Sequence, residues 1–424
     1  FWANAAKVMV VFSFIGTAVT YSTNSGIYKD FFIIALGIDE YSEYNVTTDK
    51  TLKVINVDGH IGYGLTDEVS SLLDKNPDTS TINLESIGGR PWEARLLRDL
   101  IIKNGLSTSS YKGCASACTV VFLAGKSRIL GDKAILGFHQ YIYKDYVPNF
   151  TSQNEMKIDR EFLLSQGVPE KFVVKAYSTP NSDLWKPNKI ELFLSNVITG
   201  VDDGGDILGV RDFVNKYWLE FEKGLREIRL YEVMKTNDAE EYSAMERDVY
   251  RAISKGVLGT TELASLIRSH VSKSVEKFLG GASNESLQSF FNLLIKQLDN
   301  LGKNDPEACR SYLFPKDNMK SVNLESIFSK EMRDNEIQVM SEILASNNLF
   351  KDQILKDSEF DEYMSPIYLK LSSQFNVPLE LLETPYSPKV SAKQICDFAR
   401  TMYQEINRLS QDIRYRAFRY LYSF

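Results

Sequence analysis

Gly113-Cys-Ala-Ser-Ala-Cys118 is the stretch on which the reading of this chain turns. It sets a hydroxyl, Ser116, between two alanines, after a strand-like piece at 107–112 and before an apolar, helix-like run at 119–125. A serine at a sharp strand-to-helix turn with only alanine beside it is open to approach. The backbone N–H groups that open the helix favour negative charge at the same place. Upstream, Thr81-Ile-Asn-Leu-Glu-Ser-Ile-Gly-Gly89 alternates like a strand and ends in paired glycines. Downstream, Ala134-Ile-Leu-Gly-Phe-His139 is a short apolar strand ending in one of only three histidines in the chain.

Those three pieces share one chemistry. A serine hydroxyl is a poor nucleophile until a base takes its proton, and a neutral imidazole suits that role near pH 7. The attacked carbonyl then needs hydrogen-bond donors for its developing charge. Gly88, lacking a Cβ, lets substrate approach its N–H, and the N–H of Ala117, next after the serine, is the natural second donor. Taken singly the pieces are bland: a serine at a helix start is ordinarily an N-cap, and Gly-Gly after a strand is ordinarily a turn. Their combination, each falling after a strand, is what points to a site. His60 has no nucleophile near it in sequence and His270 lies on a charged helical stretch, so both read as structural.

Gly88-Gly89, Ser116 within Ala-Ser-Ala, and His139 together resemble the active-site elements of the Clp-type serine peptidases, within the wider ClpP/crotonase fold. Gly88 and Ser116 are 28 residues apart, and Ser116 and His139 are 23 apart, spacings that fit that family. The resemblance covers about residues 52–200, under half the chain. It is most similar to a predicted periplasmic branch in which cysteines also bracket the serine. One position departs: Cys114 stands two before the nucleophile, where the family has Gly or another small residue. The resemblance implies Ser116 as nucleophile, His139 as base, and the same oxyanion pair, Gly88 and Ala117. It also implies that the Gly88-Gly89 stretch flanks a docking strand for an extended peptide, making Gly89 a substrate-strand residue. Family spacing places the residue orienting His139 in the stretch 178–183. Asp183 is the first choice, with Asn181 and Ser182 as alternatives. A homo-oligomer and a peptide or protein substrate follow from the resemblance; no cofactor does.

Cys114 and Cys118 are four apart, which on a helix gives a Cα separation of about 6 Å, within disulfide range. Either a disulfide pins the elbow, or the two are small apolar packing residues, or one is itself a nucleophile for His139. A metal site is disfavoured, because this pair and one histidine lack a fourth ligand. Cys309 and Cys396 both lie in the helical C-terminal half, where a bond between them would tie its first part to its last helix. Four cysteines fit an oxidising compartment, and equally fit reduced buried thiols.

At 424 residues there is chain for two to three domains. A hydrophobic fraction of 43% argues for packed cores over disorder. A net charge of −7 with no basic block argues against a nucleic-acid partner. The chain opens on Phe1, not Met, which we read as sequence removed or left out upstream. Residues 8–21 (VMVVFSFIGTAVTY) are uncharged and, with 1–6, make about twenty apolar residues interrupted only by Lys7. A transmembrane anchor over 1–25 is the favoured reading, with a signal-peptide remnant or a buried soluble helix as rivals. Residues 31–37 are apolar but too short to span, and 26–50 reads as a linker.

From 51 to 203, strands alternate with helical stretches: strands at 52–57, 82–87 and 134–139, helices at 65–74, 91–104 and within 154–177. That order predicts an α/β domain with a mostly parallel sheet flanked by helices, whose sites gather at the carboxyl ends of strands. Past Asp202-Asp-Gly-Gly205, strand signals fade. Amphipathic helices are expected at 210–233, 239–255, 260–278, 285–301, 324–347 and 390–422, forming an all-α C-terminal domain over 204–424. The expectation is a membrane-anchored serine peptidase whose soluble part lies outside the cytoplasm. A non-catalytic scaffold of the same fold is the second reading, and a crotonase-like acyl-CoA enzyme the third.

Overall fold

The computed structural model describes residues 41–141, 149–314, 324–346, 350, 353–378 and 384–422. The expected anchor at 1–25 and the apolar patch at 31–37 lie outside the described residues. Among those described, no helix is long and apolar enough to cross a membrane. The chain divides into two compact units, the first ending at Asn215 and the second opening at Lys216.

Among the described residues, the first unit is built on a seven-stranded sheet. Its strands are β1 (Tyr44–Asp49), β2 (Val54–Gly59), β3 (Thr81–Glu85), β4 (Ser107–Ser110), β6 (Arg128–Gly131), β8 (Gly200–Asp202) and β9 (Ile207–Leu208), adjacent in that order. From β2 to β8 every neighbouring pair is parallel. Antiparallel β1 and β9 close the two edges. In β3, Ile82, Asn83 and Leu84 are buried in succession, as a strand covered on both faces requires. The covering comes from α1 (Leu65–Lys75), α2 (Pro91–Lys103), α3 (Ala117–Phe122), α4 (Asn149–Ser165), α5 (Glu170–Ser178) and α6 (Lys189–Leu194). Every residue of α3 is buried, and its sequence ACTVVF has no polar face to show water. A second, two-stranded parallel sheet pairs β5 (Gly113–Ala115) with β7 (Ile135–Gly137), and it carries the elbow.

Two expectations change here. Residues 44–49, read as linker, form β1, which pairs with β2 from Tyr44–Gly59 to Asp49–Val54. An edge strand shows one face to water, so YNVTTD carries the polar content of a linker. The break at 202–205 is the turn of the β8–β9 hairpin, with Gly204 at φ +92°. The sheet therefore continues past the boundary expected at 203.

Among its described residues, the second unit is all helical. Its helices are α8 (Arg229–Asn237), α9 (Ala239–Ser254), α10 (Thr260–Leu279), α11 (Asn284–Asn304), α12 (Pro306–Leu313), α13 (Leu324–Ile327), α14 (Lys330–Leu344), α15 (Asp357–Phe375), α16 (Ala392–Asn407) and α17 (Gln411–Leu421), after α7 (Val210–Arg226), which spans the unit boundary. The expected long helices at 210–233, 324–347 and 390–422 are each two. Ser283, Asp305, Ser329 and Ser391 cap α11, α12, α14 and α16 by accepting the N–H three residues on. The Phe291 and Phe418 rings stack 3.4 Å apart, and buried Arg419 donates to the Ala282 carbonyl, so α17 is docked on α11. Cys309 and Cys396 are bonded across 87 residues of chain.

Candidate active site

Three strand tips meet at the elbow. The tip of β3 runs on beside β5: the Ser86 N–H donates to the Gly113 carbonyl (3.1 Å) and the Ala115 N–H to the Ser86 carbonyl (2.9 Å). On the other side, β7 pairs with β5 from Gly113–Ile135 to Ala115–Gly137. One residue later the Ser116 N–H donates to the Gly137 carbonyl at 2.9 Å, two residues before His139. Ser116 and His139 thus leave adjacent parallel strands at the same end. The carboxyl ends of strands, where the sequence places its candidates, are where the structure gathers them.

Ser116 turns the chain from β5 into α3 at φ +56° and ψ −128°. A non-glycine residue at positive φ costs on the order of 1–3 kcal/mol and persists only where its surroundings dictate it. Here they do. Its N–H is held by Gly137, and its carbonyl accepts the Thr119 N–H (3.0 Å) and hydroxyl (2.7 Å). On either side of the turn, Cys114 and Cys118 are joined, both buried, with Cα atoms 5.4 Å apart. The pair does not lie along one helix, as spacing of four suggested: Cys114 is in β5 and Cys118 in α3. The bond therefore spans the elbow.

Gly88 faces that elbow at φ +105°. A Cβ built on it would lie 2.8 Å from Ser116 Cβ, 2.8 Å from the Ala115 carbonyl oxygen and 3.1 Å from the Ala117 nitrogen. Only glycine fits. Its N–H, expected as an oxyanion donor, donates to Ser86 Oγ at 3.1 Å, so that group is engaged. The Ala117 N–H, at the first turn of α3, makes no hydrogen bond among the described residues. Gly89 packs its backbone on Ile61, where a Cβ would meet the Ile61 carbonyl oxygen at 2.4 Å. The Ile61 N–H donates to the Gly88 carbonyl and its own carbonyl accepts the Arg90 N–H. One flank of the expected docking strand is thus taken by the chain itself. The Gly89 N–H and carbonyl bond to no described residue.

His139 is half-buried, and its Nδ1 lies 2.6 Å from the Gln140 carbonyl oxygen. A carbonyl only accepts, so Nδ1 carries the proton, and Nε2 of the neutral ring keeps its lone pair. No hydrogen bond joins Ser116 Oγ to His139, and the Ser116 hydroxyl makes none with any described residue. No hydrogen bond joins Asp183 to His139. Asp183 is exposed, with Oδ1 accepting the Leu184 N–H (2.7 Å) and its own N–H donating to the Pro180 carbonyl (2.9 Å). Nor does a hydrogen bond join Asn181 or Ser182 to His139. The stretch expected to supply the orienting residue does run beside His139, but through its backbone. Phe138 and Trp185 exchange both main-chain hydrogen bonds, and the Gln140 N–H donates to the Thr179 carbonyl.

Two supports carry no signal in the sequence. The Glu85 carboxylate, at the end of β3, accepts the backbone N–H groups of Tyr111 (2.7 Å), Lys112 (2.7 Å) and Gly113 (3.0 Å), fixing the loop that leads into β5. Tyr141, two residues after His139, places its hydroxyl on the buried carboxylate of Asp159. A lone glutamate before Gly-Gly and a tyrosine after a strand have no periodicity that marks them.

No protein-family model matches the chain, and no curated protein does. Among solved structures it is similar to ClpP1 from Listeria monocytogenes, at 15% identity and a TM-score of 0.33, over 37% of this chain and 94% of that one. It is also similar to the ClpP protease catalytic domain from Plasmodium falciparum, at 19% identity and a TM-score of 0.32, over 37% of this chain and 89% of that one. Likenesses this weak say nothing of the chemistry at Ser116, which rests on the geometry of the elbow alone.

Proposed function

We propose that this chain is a Clp-like serine peptidase, with Ser116 as nucleophile and His139 as general base. The observation that carries the reading is the strained Ser116 turn. A hydroxyl with no hydrogen bond among the described residues stands at positive φ on the first turn of a buried helix, against a glycine that no other residue can replace. Nε2 of His139 takes the Ser116 proton as Oγ attacks a carbonyl carbon, and the Gln140 carbonyl steadies the imidazolium through Nδ1–H. The oxyanion is received by the Ala117 N–H, joined by the Gly88 N–H once it exchanges Ser86 Oγ for the new charge. Nε2 then returns the proton to the leaving amine, and water hydrolyses the acyl-enzyme by the same route. An extended peptide fits the Gly89 main chain, which bonds to no described residue, beside the exposed side chain of Ile87.

The setting belongs to the same proposal: a protein anchored by residues 1–25, working as a homo-oligomer outside the cytoplasm. Two disulfides support an oxidising compartment. A second reading, a non-catalytic scaffold, is favoured by the missing Ser116–His139 hydrogen bond, although such bonds often tighten only when substrate binds. A fluorophosphonate probe separates the two. Labelling of the wild type and not of Ser116→Ala supports the peptidase; equal labelling of both, or none, overturns it.

A further inference from the structure

We propose that Asp159, acting through Tyr141, is the positioning carboxylate of His139, in the place where the sequence suggests Asp183. The inference rests on the reading of His139 as a base. Its geometry is a single connected path. The carbonyl that holds His139 Nδ1–H belongs to the peptide unit joining Gln140 to Tyr141, so the orientation of that unit sets the orientation of the ring. Two anchors hold its surroundings. Upstream, the Gln140 N–H donates to the Thr179 carbonyl at 2.8 Å. Downstream, the Tyr141 hydroxyl donates to Asp159 Oδ2, while its ring meets that of Tyr177 edge-on at 5.9 Å.

Asp159 is suited to hold such an anchor still. Its residue is 1% exposed, and its carboxylate is gripped by the Arg95 fork, Nε to Oδ1 at 2.8 Å and Nη2 to Oδ2 at 2.9 Å. Arg98 adds a second cation, Nη1 lying 3.6 Å from Oδ1, with its guanidinium over the Phe162 ring. Arg95 also bonds the Glu155 carbonyl and carboxylate. Burial by itself would lower the Arg95 pKa, but the hydrogen bonds to Asp159 and Glu155 outweigh it and raise it. The ion pair alone would explain why α2 and α4 pack together. It does not explain a tyrosine two residues from the base spending its hydroxyl on the same buried carboxylate. A bidentate pair inside the protein is a fixed point, and Tyr141 ties the peptide behind His139 to it.

The test uses the full chain and the Tyr141→Phe variant, which removes one hydroxyl and keeps both the ring contact and the Arg95–Asp159 pair. Nitrogen-15 NMR of the histidines reads the tautomer and titration of His139, assigned by the signal lost in His139→Gln. The rate of fluorophosphonate labelling against pH reads its service to Ser116. In Tyr141→Phe the melting temperature falls by no more than about 4 °C, yet His139 loses its Nδ1–H preference and labelling at neutral pH slows by about tenfold. Asp159→Asn gives the same tautomer change with a larger loss of melting temperature. A His139 tautomer and titration identical to wild type in Tyr141→Phe overturns the proposal. If the tautomer changes in a protein that never labels, the positioning role stands and the peptidase reading fails. If the wild type labels and Tyr141→Phe labels equally fast, the positioning role fails and the peptidase reading stands.

Discussion

Gly88 lies so close to Ser116 that a β-carbon added to the glycine would sit 2.8 Å from the Cβ of the serine. The same carbon would meet the Ala115 carbonyl oxygen at 2.8 Å, on a backbone at φ +105°. The elbow can keep its turn only while position 88 has no side chain. Gly88→Ala therefore combines backbone strain with overpacking, each on the order of 1–3 kcal/mol. We expect thermal unfolding to show a loss of about 2–4 kcal/mol, and fluorophosphonate labelling of Ser116 to fall at least a hundredfold. Wild-type labelling in this variant would mean that the close approach is incidental.

Glu85 holds the loop between β4 and β5 by three backbone N–H groups, two of them on one oxygen. Glu85→Gln turns an amide NH2 group, or a single uncharged oxygen, toward donors that need a carboxylate. Hydrogen bonds to charged groups contribute about 1.5–3 kcal/mol, so a loss in that range is expected in denaturant unfolding. Labelling should slow as well, because β5 leads directly into Ser116. A variant with unchanged unfolding would show that water satisfies the three N–H groups equally well.

The two disulfides should separate stability from function. Loop length sets the entropy each removes from the unfolded chain, which gives about 2 kcal/mol for Cys114–Cys118 and about 4–5 kcal/mol for Cys309–Cys396. Replacing the second pair by alanine is expected to cost roughly twice as much in unfolding free energy and to leave Ser116 labelling in place. Replacing the first pair costs less but slows labelling, since that bond spans the nucleophile. The reverse pattern would contradict the assignment of the Cys114–Cys118 bond to the elbow.

In the second unit, acid should loosen the packing of α9 on α10. Burial raises the Asp238 carboxyl, but the hydrogen bonds from Lys277 and Ser274 outweigh it and hold it below the ordinary carboxylate range. Glu241 is held low in the same way, against its burial, by Lys273 and His270. A carboxyl with a depressed pKa binds its proton less readily folded than unfolded. Its stabilisation is therefore complete above the unfolded value, about 4, and is lost as pH falls below it through the folded value. The urea midpoint should drop as pH falls below about 4, and Asp238→Asn should flatten that drop. An unchanged acid limb in Asp238→Asn would place the effect elsewhere.

The parts of this fold legible in sequence are those where one residue type has few alternatives. A short, mostly apolar helix after a serine has to be buried, and paired glycines after a strand mark a turn with no room for a side chain. The sharp strand-to-helix turn at Ser116 was legible on that ground, whereas Gly88, read as room for substrate, is needed by Ser116 itself. β1 was hidden because an edge strand with one wet face has the composition of a linker. The end of α7 at Arg226 was hidden because Gly224 lies inside the last turn and the apolar spacing runs on past it, and α15 because Pro366 lies inside it. Within the site, spacing could bring the stretch at 178–183 beside His139 but could not say whether backbone or side chain would face the ring. Asp183 turned its carboxylate to its own Leu184 N–H, and the Gln140 carbonyl took the place expected for it. Asp159 and Tyr141, 18 residues apart, carry no pattern connecting them before the register of α4 is known.

A crystal structure of the protein after reaction with a peptidyl phosphonate would show directly whether Ser116 is the nucleophile. We expect phosphorus bonded to Ser116 Oγ, His139 Nε2 within about 2.6–3.2 Å of that oxygen, and a phosphonyl oxygen about 2.7–3.1 Å from the Ala117 nitrogen. No adduct on Ser116, or an adduct with the His139 ring turned away from it, would rule out the Ser116–His139 pair as nucleophile and base.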